Sequence, residues 1–245
     1  MVKGATEYGL TKGSSQRRRI GESLGGVTRR IRPSRKTFRF GTHRLRYFIH
    51  PYNTTWKNER AVEIPITKTY LKGRSDAEVL EFGNVWGRYF EHHHDVIDKY
   101  ERWPGVLNED IVTFRPERTY GLVFSISTLE HVGWDEDVRE PLKTIVALER
   151  LFDAVAPGGT LLVTFEIGYN PFLDYLLDID RIPFDKRYCL KRVSRWNDWE
   201  PATWEEVRHM KYGRPYNSAN GLVILELRKS QRGKTKRSFS TKAFK

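Results

Sequence analysis

Cysteine is almost missing from this chain: Cys189 is the only one among 245 residues. A single thiol has no partner for an internal disulfide, which sets aside stapled secreted scaffolds and favours a reducing compartment. Cys189 lies in a strand-like run, Arg187-Tyr188-Cys189-Leu190, and reads as a packing residue. No apolar run approaches the roughly 20 residues that span a bilayer, so no membrane span is expected. No apolar h-region follows Met1 either, and the expected location is cytoplasmic. The Arg-, Ser- and Thr-containing start faintly resembles an organelle transit peptide, against which stand Glu7, Glu22 and several glycines. Acids are scarce only locally. Residues 1–46 hold 13 Lys and Arg against two acids, and residues 228–245 hold eight bases and no acid. The stretch between carries 22 bases and 29 acids, so the formal net charge of +12 belongs to the ends.

Segments of that composition lack the apolar surface to order themselves, and they attract polyanions. Four units are expected: a basic tail at 1–36, an N-terminal cap segment at 37–75, a main domain at 76–229 and a second basic tail at 230–245. Nucleic-acid binding through phosphates is the functional expectation for the tails; solubility, or docking on an acidic partner or membrane surface, is the plainer one. Nothing in the sequence fixes an oligomeric state.

The main domain alternates strand-like and helix-like segments. Residues 78–82, 95–98, 108–112, 120–127 and 160–167 read as strands, followed by 186–194 and 221–228. Val138, Leu142, Ile145, Leu148, Phe152 and Val155 recur at helical steps, predicting a helix over about 135–155 that Pro157-Gly158-Gly159 stops. Ahead of these, Phe38 to Ile49 suggests a hairpin or short helix. Ala61-Val62-Glu63-Ile64-Pro65-Ile66 reads as an alternating strand that Pro65 would place at an edge. Strands joined by helical connections imply an α/β, Rossmann-like, mainly parallel sheet of seven strands with helices on both faces.

The most informative stretch is Val79-Leu80-Glu81-Phe82-Gly83-Asn84-Val85-Trp86-Gly87, an apolar strand that ends in an acid and a glycine-bearing turn. Such a turn lets backbone N–H groups approach a nucleotide-like ligand. Glu81 stands where a phosphate binder would offer lysine, and no Gly-Lys-Ser/Thr follows. A positively charged cofactor fits better, with S-adenosylmethionine as the candidate. Further on, Ser125-Ile126-Ser127-Thr128-Leu129-Glu130-His131-Val132 and Pro157-Gly158-Gly159-Thr160-Leu161-Leu162-Val163 complete the pattern. In this order the motifs resemble the class I, Rossmann-like methyltransferases that use S-adenosylmethionine, over residues 76 to 228.

The resemblance implies roles by position. Glu81, Gly83 and Gly87 match the glycine-rich first motif beneath the methionine part of the cofactor, with backbone contact expected at Gly83 and Asn84, although Val85 replaces the family's middle glycine. Asp98 falls where the family places an acid on the ribose hydroxyls, a carboxylate being able to accept two hydrogen bonds. Asp110 falls where the adenine amino group is recognised, with Asn108 and Glu109 as rivals. Ser125 and Ile126 would line the cofactor pocket. Methyl transfer needs a held nucleophile and, where that carries a proton, a base. His131 and Glu130 follow the fourth strand and are the catalytic candidates, His131 because an unperturbed imidazole titrates near about 6.5; the plainer reading is that the pair fixes the loop. Asn53, Asn58, Arg60 and Glu63 from the cap, with Tyr169 and Asn170 after the fifth strand, are candidate substrate contacts.

No metal site is expected, because consecutive histidines such as His92-His93-His94 point in different directions and no Cys cluster or H-E-x-x-H accompanies them. Trp196, Trp199 and Trp204 read as a packed lid. The absence of an Asp/Asn-Pro-Pro-Phe/Tyr motif and of Pro-Cys argues against DNA-amine and cytosine-carbon methylation. Gly-x-x-x-Gly instead of G-x-G-x-x-G argues against a nicotinamide dehydrogenase. The expectation is therefore a methyltransferase acting on an O or N nucleophile of a small molecule or RNA, the acidic core favouring the small molecule. The alternative is a non-catalytic methyltransferase-like protein that binds nucleic acid through its basic tails.

Overall fold

The computed structural model describes residues 35–231. The tails expected at 1–36 and 230–245 lie almost wholly outside the described residues. A hairpin of β1 (Thr37–Phe40) and β2 (His43–Arg46) leads through a 3₁₀ turn at Tyr52–Lys57 into α1 (Arg60–Leu71). The sheet strands follow: β3 (Val79–Phe82), β4 (Asp95–Ile97), β5 (Val106–Leu107), β6 (Tyr120–Ile126) and β7 (Val155–Glu166), with α2 (Lys143–Asp153) before β7. After β7 come α3 (Pro171–Asp178), β8 (Lys186–Arg192), β9 (Trp199–Ala202), the short α4 (Trp204–Val207) and β10 (Gly221–Arg228).

The sheet has eight strands in the order β5-β4-β3-β6-β7-β10-β8-β9. Neighbours from β5 to β7 are parallel, while β10 runs antiparallel to both β7 and β8. This is a Rossmann-like α/β sheet, mainly parallel. The eighth strand, β9, is an edge strand antiparallel to β8. Strand order reverses between β3 and β6, and such a switch point opens a crevice at the carboxyl ends of the strands.

Alternation along the strands divides the core in two. Leu161, Val163 and Phe165 face the layer of α2 and α3, where Ile145, Leu148, Leu151, Leu173 and Leu176 bury their apolar side. Leu122, Phe124, Ile126 and Leu162 face the opposite layer, where Val62 and Ile66 of α1 pack beside Phe38 and Phe40 of the hairpin.

Four local expectations change. Residues 61–66 form a helix, not a strand, although Pro65 lies inside it. Proline lacks the N–H that would bond the carbonyl four residues back. Here that carbonyl, on Ala61, accepts from Phe48 N–H at 2.8 Å, so it is satisfied from outside the helix. The long helix over 135–155 shrinks to α2. Pro141 disfavours helical backbone at Glu140, and the Asp135 and Glu136 carboxylates are held by His131 and by Lys143 at the start of α2. Val138 is accordingly 70 % exposed. Pro157-Gly158-Gly159 lies within β7, where pairing with β6 shifts between Tyr120 and Leu122. The third strand ends at Leu107, and Asn108 instead donates to the carbonyls of Asp98 and Glu101.

Trp199 is buried, whereas Trp196 is largely exposed, so the tryptophans do not form one packed lid. Among the described residues no helix is long and apolar enough to cross a membrane. Phe165→Ala should lower unfolding free energy by about 3–5 kcal/mol, and Val138→Ala should change it by less than about 0.5 kcal/mol. Urea unfolding of both variants checks the boundary of α2.

Candidate functional site

A cavity of about 420 Å³ opens beyond the carboxyl ends of β3, β4 and β6, on the α2 face. Phe82, Ile111 and Val132 give it apolar walls, and Asp98, Asp110, Asp135 and Glu136 place acids around it, with Lys99 among them. Asp98 ends β4. Its Oδ1 accepts the N–H groups of Tyr100 and Glu101, each at 2.8 Å, and its Oδ2 faces the Asn84 N–H at 3.4 Å. The carboxylate is thus oriented by backbone and keeps acceptor capacity towards the cavity. Burial alone would raise the Asp110 carboxyl, but Lys99 at 2.8 Å holds it below the usual carboxylate range. Gly83 adopts φ +84°, and a Cβ there would run into Thr128, a residue of the cavity wall.

Several residues expected at the cofactor do not line this cavity. Phe82 turns to the α2 face, so its neighbour Glu81 turns to the α1 face. Glu81 is fully buried there. Its Oε1 accepts from Val85 N–H at 2.8 Å and Trp86 N–H at 2.7 Å, and its Oε2 meets His94 Nε2 at 3.0 Å. It closes the loop on itself. Gly87 leaves room for the side chains of Asn84 and His92, and Ile126 packs in the α1 layer. Ser125 is also fully buried, away from the wall.

Glu130 and His131 are adjacent but diverge. His131 borders the cavity, its Nδ1 bonded to Asp135 Oδ2 at 2.6 Å and its ring 4.7 Å from that of Tyr169. Asp135 is also held by the Tyr169 hydroxyl at 2.6 Å. Glu130 points into a buried group of charges with Glu59, Arg60, Glu63 and Glu166. Arg60 is ion-paired with Glu63 and lies 3.9 Å from Glu59. Glu63 Oε1 accepts from Ser127 Oγ and Thr164 Oγ1, both at 2.6 Å, which ties α1 to the ends of β6 and β7. The carboxylates of Glu63, Glu59 and Glu166 all act on the Arg60 guanidinium, and Glu59 also feels Arg192. Burial, then Glu166, pushes the Glu130 carboxyl well above the usual range, which favours its protonated form. Burial, then Glu166, likewise pushes Glu59 up to about 7. Both oxygens of Glu130 and Oε2 of Glu166 lack a donor.

Of the candidate substrate residues, Arg60 and Glu63 belong to this cluster, and Tyr169 contacts the cavity-lining Asp135 and His131 and lies 5.1 Å from the Tyr212 ring. Asn58 and Asn170 have structural duties instead. Asn58 donates to Asn53 O and accepts from Arg60 N–H. Asn170 caps α3 by accepting from Phe172 and Leu173, and donates to Glu130 O. Asn53 is exposed, with φ +55°. Glu59, Glu166, Thr128 and Tyr212 were missed. Glu166 carried a signal, as a lone acid ending a buried strand. Glu59 had only its place beside Arg60.

No family model and no curated protein matches the chain. Among solved structures, it is similar to the N-methyltransferase NodS from Bradyrhizobium japonicum WM9 in complex with S-adenosyl-L-homocysteine, at 14 % identity and TM-score 0.45 over 69 % of this chain and 86 % of that one. It is also similar to a possible histamine N-methyltransferase from Thermotoga maritima, at 13 % identity and TM-score 0.40 over 62 % and 82 % of the two chains. A third is the 1,6-didemethyltoxoflavin-N1-methyltransferase of Burkholderia thailandensis, at 14 % identity and TM-score 0.40 over 67 % and 75 %. At such values these likenesses carry no conclusion about the site, whose reading rests on strand order and cavity.

A buried acid with a raised pKa binds more protons folded than unfolded, so its contribution to stability falls as pH rises from about 4.5 to about 7. Between pH 5 and pH 8, Glu59→Gln should lose less stability than the natural chain, by a difference on the order of 1–3 kcal/mol. Urea midpoints at the two pH values measure it.

Proposed function

We propose that this chain is an S-adenosylmethionine-dependent methyltransferase acting on an oxygen or nitrogen nucleophile of a small polar molecule. The observation that carries the reading is the cavity at the strand-order switch point, with apolar walls and a backbone-oriented Asp98 at its rim. Its residues fit the cofactor. Phe82, Ile111 and Val132 offer flat apolar surface to an adenine. Asp98 offers acceptors to ribose hydroxyls, and the acids around the cavity favour a cationic ligand. When bound, S-adenosylmethionine supplies a methyl group already activated by a positive sulfur.

The chain's own part is to hold the acceptor and take its proton. Glu63, locked by Ser127 and Thr164, and its ion-pair partner Arg60 form a rigid polar group close enough to Tyr212 to act on its hydroxyl. Glu166, whose Oε2 accepts from no protein donor and whose neighbour Glu130 is the protonated member of the pair, is the proton acceptor we assign. His131 is engaged by Asp135 and serves as a positioning group at the cavity wall. The acidic middle of the chain supports a small molecule as acceptor over RNA.

Calorimetric titration of the full chain with S-adenosylmethionine should give micromolar binding, weakened at least tenfold by Asp98→Ala. With an acceptor found from a panel of amines and alcohols, Glu166→Gln should lower turnover by about 10²–10⁴ while leaving cofactor affinity nearly unchanged. Salt-sensitive RNA binding by a folded chain without cofactor affinity would replace this reading with a non-catalytic, tail-driven one.

A further inference from the structure

The histidine run was expected to scatter its side chains. In an extended segment, however, residues two apart share a side. His92 and His94 do so, with ring centroids 4.0 Å apart and planes 25° from parallel, while His93 is exposed. Both face Glu81. The Nε2 of His94 is 3.0 Å from Glu81 Oε2. One ligand atom from each of Glu81, His92 and His94 lies within 4.8 Å of the other two.

The surroundings match what a metal centre requires. Glu81 is fully buried and His94 is 6 % exposed. His92 Nδ1 is buried and has no hydrogen-bond partner. The second oxygen of Glu81 is fixed by the N–H groups of Val85 and Trp86, and the His94 ring meets the edge of Phe124 at 5.6 Å. Such outer contacts orient ligands and are a regular part of metal sites. Gly87 is needed for the approach, because a Cβ there would stand 2.6 Å from His92 Nε2. A groove of about 810 Å³, with His92 and His94 in its wall, gives a way in and room for solvent ligands.

We propose that Glu81, His92 and His94 bind one divalent transition-metal ion through two imidazole nitrogens and one carboxylate oxygen, with remaining positions open to the groove. Imidazole suits zinc, nickel, copper or iron; magnesium prefers an all-oxygen shell. The site lies on the sheet face opposite the 420 Å³ cavity, and its carboxylate is the one that closes the Gly83–Gly87 loop. The ion therefore clamps that loop from behind. This inference does not depend on the methyltransferase reading.

The test is titration of the metal-stripped, untagged full chain with zinc chloride by calorimetry, repeated with magnesium chloride and with His92→Gln, His94→Asn and His93→Ala. One zinc ion per chain is expected, with no magnesium uptake, unchanged binding in His93→Ala, and at least tenfold weaker binding in His92→Gln and His94→Asn. Cobalt(II) on the natural chain should add visible absorption bands that His92→Gln lacks. The half-exposed His92 keeps the test decisive if His94→Asn fails to fold. No zinc uptake, or uptake unchanged in His92→Gln, would overturn the proposal, the latter meaning an adventitious ion on surface histidines only.

Discussion

The carboxylate of Glu81 is the constraint on which this architecture turns. It lies at the end of a central strand with no exposure to water, so donors must come to it. Those donors are the N–H groups of Val85 and Trp86, which bend the chain back immediately after Gly83, and the imidazole of His94. Phe82, one residue on, faces the other side and becomes cavity wall. One strand end thus organises both faces: the loop and histidines behind the sheet, and the candidate cofactor cavity in front. The Gly83 turn is tied to the neighbouring strand end as well, through Ile97 O at 2.9 Å and Asn84 N–H towards Asp98.

A second concentration of charge lies where β6 and β7 end. Glu63 reaches down from α1 to two hydroxyls on those strands, and Arg60 answers Glu59 and Glu63 together. Removing water from carboxylates that outnumber the guanidinium groups near them is costly, and the raised Glu59 and Glu130 carboxyls reflect that burial. A scaffold with no other use for these groups would gain by replacing them with apolar residues. That argument, together with their place at the ligand edge of an α/β sheet, supports acceptor binding and proton transfer here.

The alternation of strands and helices was legible because Leu, Val, Ile and Phe repeat at the right periods in the central strands and in α2. The Rossmann-like order followed from it. Less was legible where side chains outside the segment decide the outcome. Pro65 argued for a strand edge, yet Phe48 satisfies the carbonyl that proline leaves free. The apolar Val138 and Leu142 extended the apparent helix, while Pro141 and the acids before it determined its true start. Glu81 was recognised as a key residue, but its direction depended on which face Phe82 took. The His92–His94 pair stayed hidden because its convergence with Glu81 requires two separate segments to meet. Asp98, Asp110 and His131, singled out through the family resemblance and their places after successive strands, all line one cavity.

The central claim is that the crevice beyond β3, β4 and β6 holds the adenosyl part of the cofactor. Hydrogen exchange of the full chain with and without S-adenosylhomocysteine measures this by segment. The account predicts slowed exchange at residues 82–84, 98–101, 110–112 and 128–132, with the β8–β9 edge unchanged. Ligand binding that protects another region and leaves these four segments untouched would contradict it.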